Sequence, residues 1–322
     1  MAVPLASFAC ALLVGALVLL ATGQDPIDTY RRILERAVTA DGALSGSLVA
    51  ATPLLFTGLA AAISFRAGLF NIGGEGQLVV GAIAASGVGL AMEGSPGWLL
   101  VTAMVVAGAA GGAAWGAIPG ALRAFASTNE IITSLMLNYV AANLATYLIF
   151  GSESHWRSLE GSGAMFPTGR RLSPEASWPA LDLGELVVPF GFLVGAVVAV
   201  QLFVLLRRTR FGFEVAVIAD SPPAARYAGM RNRRTVLAVL ALSGAVAGIG
   251  GASNIGDTRH VLDPRGLNQA GYGYAGIVVA ALARLNPLAV VFTSIVMGGL
   301  ANAGRALQGP DFPAGLVGTL QG

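Results

Sequence analysis

The sequence predicts an all-α, polytopic transmembrane helix bundle, and three observations carry that prediction. Of 322 residues, 55% are hydrophobic and 11% charged, whereas a soluble domain holds about 25% charged residues; mean hydropathy is +0.72. Apolar segments long enough to cross a bilayer recur along the chain, at about 1.5 Å of rise per residue against a core of roughly 30 Å. Forty-four glycines and abundant alanine suit helices that approach closely in lipid. One transmembrane domain over 1–322 is expected.

Residues 3–22 form an uninterrupted apolar run. A cleaved signal peptide is the alternative reading, but a basic leading region and a small-x-small cleavage site followed by a soluble domain are missing, so a retained first span is expected. Residues 26–40 set Asp28, Arg31, Arg32, Glu35 and Arg36 at helical spacing against Ile27, Ile33, Leu34 and Val38, an amphipathic helix for the membrane interface. Spans follow at about 46–65, 78–92, 98–122, 131–150, 187–206, 235–252, 271–283 and 287–304. With 3–22 that makes about nine. The two flanking Arg284 are short and glycine-rich, so one is expected to be broken or re-entrant.

Arginine placement orients the chain. Loop 207–234 carries Arg207, Arg208, Arg210, Arg226, Arg231, Arg233 and Arg234 against Glu214 and Asp220, and is expected to be cytoplasmic. Loop 151–186 carries five carboxylates against Arg157, Arg170 and Arg171, and is expected outside. Alternation then puts the N-terminus, Arg66, Arg123 and Arg284 inside, in a multi-pass protein of the cell (inner) membrane. It also brings the chain out near Arg305. Residues 313–322 read as the apolar lead-in to a tenth span that does not follow, so the chain reads as cut short. Ten spans would suit two inverted five-span halves, although no residue-level repeat supports that plan.

Several chemistries lose their signatures. All 19 basic residues are arginine, so a P-loop lysine, a Schiff-base lysine and a Ser–Lys dyad are excluded within this chain. Cys10 is the single cysteine and can form no intrachain disulfide. His155 and His260 accompany no HExxH, carboxylate pair or GxSxG elbow, so neither a metal site nor an enzyme is expected.

Three polar elements stand out. Residues Asn71 to Gln77 place three glycines, Glu75 and two amides between apolar segments. Glycine resists continuous helix, and a carboxylate near the bilayer centre costs about 2.5–3.5 kcal/mol on insertion scales. A cavity-lining or gating loop near the cytoplasmic side follows, with a solvated turn carrying Arg66 and Glu75 as the plainer alternative. In 127–139, Ser127 or Thr128 reads as an N-cap and Glu130 as a first-turn acid. Asn129, Thr133 and Asn138 continue the polar line; interhelical glue and substrate contact both suit Asn138. In 207–234, Ser221 caps a short helix opened by Pro222 and Pro223 and closed by Gly229. Anionic headgroups would explain the arginines. They do not explain a capped helix, which suits docking to a cytosolic partner.

The chain from about residue 46 onward resembles the membrane permease subunits of ABC importers for nucleosides and simple sugars, a group that includes ribose and branched-chain amino-acid permeases. The blocks ATPLLFTGLAAAISFRAGLFNIGGEGQLVVGA (51–82), NEIITSLMLNYVA (129–141), RRTRFGFEVAVIADSPPAARYAGM (207–230) and GYGYAGIVVAALARLNPLAVV (271–291) carry the resemblance in order. The first two are most similar to the nucleoside branch, with Gly74 where that branch usually has a small residue such as alanine. The resemblance implies half of a translocation path, paired with a homologous permease, an extracytoplasmic solute-binding protein and a separate cytosolic ATPase that binds ATP. No cofactor is expected in this chain. It further implies that Asn71, Glu75, Gln77, Asn129, Glu130, Thr133 and Asn138 line or gate the path. The ATPase would dock on Phe213, Glu214, Asp220, Ala224, Ala225, Arg226, Tyr227 and Gly229. An ion-coupled secondary carrier of a small polar solute is the alternative, since it too could use a glycine-broken helix with a buried carboxylate.

Overall fold

The computed structural model describes residues 2–21, 23–160, 163 and 166–307; the lead-in at 313–322 lies outside the described residues. The described residues are mostly helical, apart from the largely irregular stretch 152–189. Helix α1 (Ala2–Ala21) is followed by α2 (Pro26–Leu34), whose N-cap Asp25 accepts hydrogen bonds from the Ile27 and Asp28 amides. A π-turn over 35–39 extends α2 across most of the stretch read as an interfacial helix. Its ion pairs, Arg31–Glu35 and Arg32–Asp28, are solvent-facing.

The bundle proper comprises α3 (Ala43–Arg66), α4 (Gly74–Ala91), α5 (Gly97–Ala126), α6 (Glu130–Thr146), α7 (Phe190–Arg208) and α10 (Asn232–Ser253). It closes with α11 (Pro264–Ala270), α12 (Tyr272–Leu282) and α13 (Pro287–Leu307). Between α7 and α10 lie two short helices, α8 (Arg210–Asp220) and α9 (Pro222–Tyr227). Among the described residues seven helices are long and apolar enough to cross a membrane: α3 to α7, α10 and α13, counting the π-turns that extend α6 to Gly151 and α10 to Arg259. The loop after α6 holds a two-stranded antiparallel hairpin, β1 (Ala180–Asp182) with β2 (Val187–Pro189).

Helix α3 is the axis, buried along nearly its whole length. Phe56, Leu55, Leu59 and Ile63 are fully enclosed by α7, α10, α12 and α13. Helices α4, α5 and α10 pack backbone to backbone. A Cβ on Gly112 would collide with the Gly244 carbonyl, one on Gly248 with the Gly108 carbonyl, and one on Gly81 with Gly248. This is the small-residue contact expected where lipid supplies no hydrophobic drive between helices.

The crossing read at 271–283 is built in two pieces. Helix α12 alone covers about 16 Å, too little for a span. It is the second piece of a broken crossing whose first piece is α11. The break is Gly271, at φ +60°, a left-handed conformation that glycine adopts without a Cβ penalty. Helix α11 lies beside the far end of α6, with the Arg265 guanidinium over the Phe150 ring, and α12 slants across α3 at Thr57 and Gly58. Of the two spans flanking Arg284, this is the interrupted one. The other, α13, is continuous.

Candidate functional site

Two helix starts meet inside the bundle. Chain 67–73 leaves α3 and turns back before α4 begins, so only Asn71, Ile72 and Gly73 of the 71–77 stretch are outside a helix. Glycine was expected to interrupt the whole stretch. The helix nonetheless starts at Gly74, with Glu75 placed favourably in its first turn. The Gly273 amide, in the first turn of α12, donates to Glu75 Oε2 at 2.5 Å. The Thr57 hydroxyl donates to the Tyr272 carbonyl at 2.8 Å. Thr57 precedes the end of α3 by nine residues, about 14 Å along the axis. The junction is therefore well inside the span and not at its rim.

The amides around it are matched. Asn71 Nδ2 donates to Gln77 Oε1 (3.0 Å) and Ser243 Oγ (2.9 Å), while Asn71 Oδ1 accepts from the Gly73 amide (2.9 Å) and Gln77 Nε2 (3.2 Å). The Ser243 hydroxyl donates to the Ala60 carbonyl at 2.7 Å. Asn138 Oδ1 accepts from the Gly76 amide at 2.8 Å, and its Nδ2 donates to the Ile72 carbonyl (2.9 Å) and the Tyr274 hydroxyl (3.3 Å). Ser134 Oγ accepts from the Ile72 amide. These bonds replace the helical partners that 71–73 lack, as buried backbone requires. Asn71, Gln77 and Asn138 are thus glue for the broken backbone and, with Glu75, one cluster. Glu75 Oε1 is the exception: it is buried without a partner.

The remaining predicted path residues lie apart. Asn129, not Ser127 or Thr128, is the N-cap of α6, its Oδ1 accepting from the Ile131 amide. Ser127 instead takes a left-handed conformation (φ 54°) that ends α5. Glu130 is buried and pairs with Arg123 at 3.2 Å, tying the α5 end to the α6 start. Thr133 donates to carbonyls of its own helix. None of the three touches the 71–77 cluster among the described contacts.

At the arginine-rich end, Thr209 Oγ caps α8 by accepting from the Gly212 amide, and Ser221 Oγ caps α9 by accepting from the Ala224 amide. Reading 207–234 as a loop with one helix missed α8, whose N-cap Thr209 was its signal. Phe213 is 61% and Tyr227 97% exposed, whereas Ala225 is fully buried. Asp220, Ala224 and Arg226 are exposed. Glu214 pairs with Arg210 at 3.0 Å and leans toward Thr235. Gly229, at φ +74°, closes α9. At the opposite end His260 carries an imidazole held below its ordinary pKa, first by burial and then by the Arg171 charge. Its Nδ1 lies 3.4 Å from the exposed Ser177 hydroxyl.

Residues 43–318 match the family described as branched-chain amino acid transport system / permease component. The chain is 35% identical to the glucose ABC transporter permease protein of Haloferax volcanii, over 99% of this chain and 84% of that protein. It is 33% identical to the guanosine ABC transporter permease protein of Bacillus subtilis, over 92% of this chain and 84% of that one. It is 27% identical to a nucleoside ABC transporter permease protein of Lactococcus lactis, over 98% and 86%.

Proposed function

The chain belongs to the branched-chain amino acid transport system permease family, and from that premise we propose that it forms half of an import path for nucleosides or related simple sugars. The observation that carries this reading is the junction of α4 and α12. Interrupted helices that begin inside the bilayer are how transporters expose hydrogen-bonding backbone at a solute's depth. Here they meet among amides and hydroxyls, with Glu75 as the one carboxylate in the cluster. A polar, largely uncharged cluster at that depth suits a path for neutral, hydroxyl-rich solutes. The named substrates of similar proteins, glucose and guanosine, are of that kind.

The proposal extends to partners and orientation. A homologous permease completes the path, a solute-binding protein delivers substrate outside, and a cytosolic ATPase docks on α8 and α9. The N-terminus and the arginine-rich end then face the cytoplasm. Two exposed aromatic side chains, Phe213 and Tyr227, on short capped helices support a docking knob. ATP-driven motion of that knob would rock the bundle between outward- and inward-open states.

Reconstitution tests the reading. Proteoliposomes holding the chain with its partner permease and ATPase, given the binding protein and labelled guanosine or glucose, are expected to take up solute only with internal ATP and to ignore an uncoupler. Uptake that collapses with the uncoupler and persists without the ATPase would establish an ion-coupled carrier instead.

A further inference from the structure

At the end of the bundle opposite the arginine-rich loop, a small pocket between α3, the start of α7 and the π-turn after α10 is lined by Thr52, Pro53, Asn254, Asp257 and Thr258. Val49, Pro53 and Pro189 make much of its wall apolar, and the polar groups among them offer mainly acceptors. The Thr52 hydroxyl donates to the Leu48 carbonyl, the Thr258 hydroxyl to the Asn254 carbonyl, and the Ser253 hydroxyl to Asp257 Oδ2 at 2.7 Å. With those protons committed, lone pairs remain for the pocket. Asn254 Oδ1 is buried with no partner. Pro53 has no N–H, so the carbonyl of Val49, which lines the same pocket, loses its ordinary helical donor. The side-chain donor left among these residues is the Asn254 amide nitrogen.

The pocket is also negative. Asp257 accepts from the Gly191 amide (3.1 Å) and from Ser253, but belongs to none of the ion pairs among the described residues. The nearby Arg259 is engaged by Asp263 at 2.7 Å. The C-terminal end of α10, which carries 254–258, adds partial negative charge. A half-buried carboxylate beside uncommitted oxygen lone pairs favours a cation. Size and charge then choose among cations. The void is about 180 Å³ including its open mouth and holds at most one water-sized particle, so no sugar or nucleoside fits. A single carboxylate is a poor match for Ca²⁺, which gathers several, and Mg²⁺ retains its waters.

We propose that this pocket binds one Na⁺ ion, held by the Asp257 carboxylate, Asn254 Oδ1, the Thr52 and Thr258 hydroxyl oxygens and the Val49 carbonyl. The ion braces α3, α7 and α10 at that end of the bundle. Gly191 is part of the design: a Cβ there would collide with Ser253 Oγ and Asp257 Oδ2.

The test is thermal unfolding of the full chain, in complex with its partner subunits, titrated with NaCl, KCl or choline chloride at fixed ionic strength. A saturable rise in Tm with Na⁺ is expected, with no matching rise in K⁺ or choline. Asp257→Asn is expected to abolish it, and Thr258→Val, which keeps the carboxylate, to shift its midpoint several-fold to higher Na⁺. Equal curves in the three salts overturn the site, as does an unchanged Na⁺ midpoint in Thr258→Val. Should Asp257→Asn not fold, the Thr258→Val midpoint decides alone. ATP-dependent uptake in Na⁺-free medium is a separate readout, so failure of the ion site and failure of the permease reading are distinguishable.

Discussion

Glu75 holds the position where the two interrupted helices touch, and its substitutions separate two roles. In Glu75→Ala the Gly273 amide loses its acceptor in a buried setting, a loss of about 1–3 kcal/mol. Glu75→Gln keeps an acceptor there but removes the charge. We expect Glu75→Ala to lower both Tm and uptake, and Glu75→Gln to lower uptake with less effect on Tm; uptake equal to wild type in Glu75→Ala at equal expression would remove 71–77 from the path. The oddity of Glu75 was legible in the sequence, because a lone acid set among glycines between two spans is costly unless it serves a polar path or junction. Its partner was not. Gly273 lies 198 residues away, and Asn71 meets Ser243 across 172 residues, so no local pattern links them. Asp257 escaped notice for another reason: helix α10 continues past Ser253 by π-turns, which put Asn254 and Asp257 on a packed face where the sequence suggested a loop.

Element by element, the spans were legible because lipid demands long apolar helices and tolerates little else. What misled was short structure. Helix α11 carries Arg265, Asn268 and Gln269 and reads as loop, although Asp263 followed by Pro264 is a helix-start signal. Helix α9 was readable because its signals, Ser221 with two prolines before it winds and Gly229 after, are local. Its design makes a clear prediction. Ala225→Asp puts a charge at a fully buried position, and Gly229→Pro asks for a negative φ where the chain needs +74°. The double variant is expected to insert into membranes normally and to lose co-purification of the ATPase; normal co-purification would show that the ATPase docks elsewhere.

For the whole molecule, the proposed topology follows from charge placement, and cysteine labelling checks it. Cys10 is the only native thiol and is exposed, so Cys10→Ala gives a clean background. A membrane-impermeant maleimide is expected to reach Leu183→Cys from outside intact cells and Arg231→Cys only in inverted vesicles. The reverse pattern would invert the molecule. The glycine contacts among α4, α5 and α10 bear on how such a molecule can move. Backbones that touch through Gly81, Gly108, Gly112, Gly244 and Gly248 leave no clearance for one helix to slip along another. Those three helices therefore behave as a stator. Any rotor must be sought outside these three helices, and at Gly273 the two-piece crossing hinged at Gly271 is itself seated backbone to backbone on the start of α4, so its freedom lies on the α11 side of the hinge.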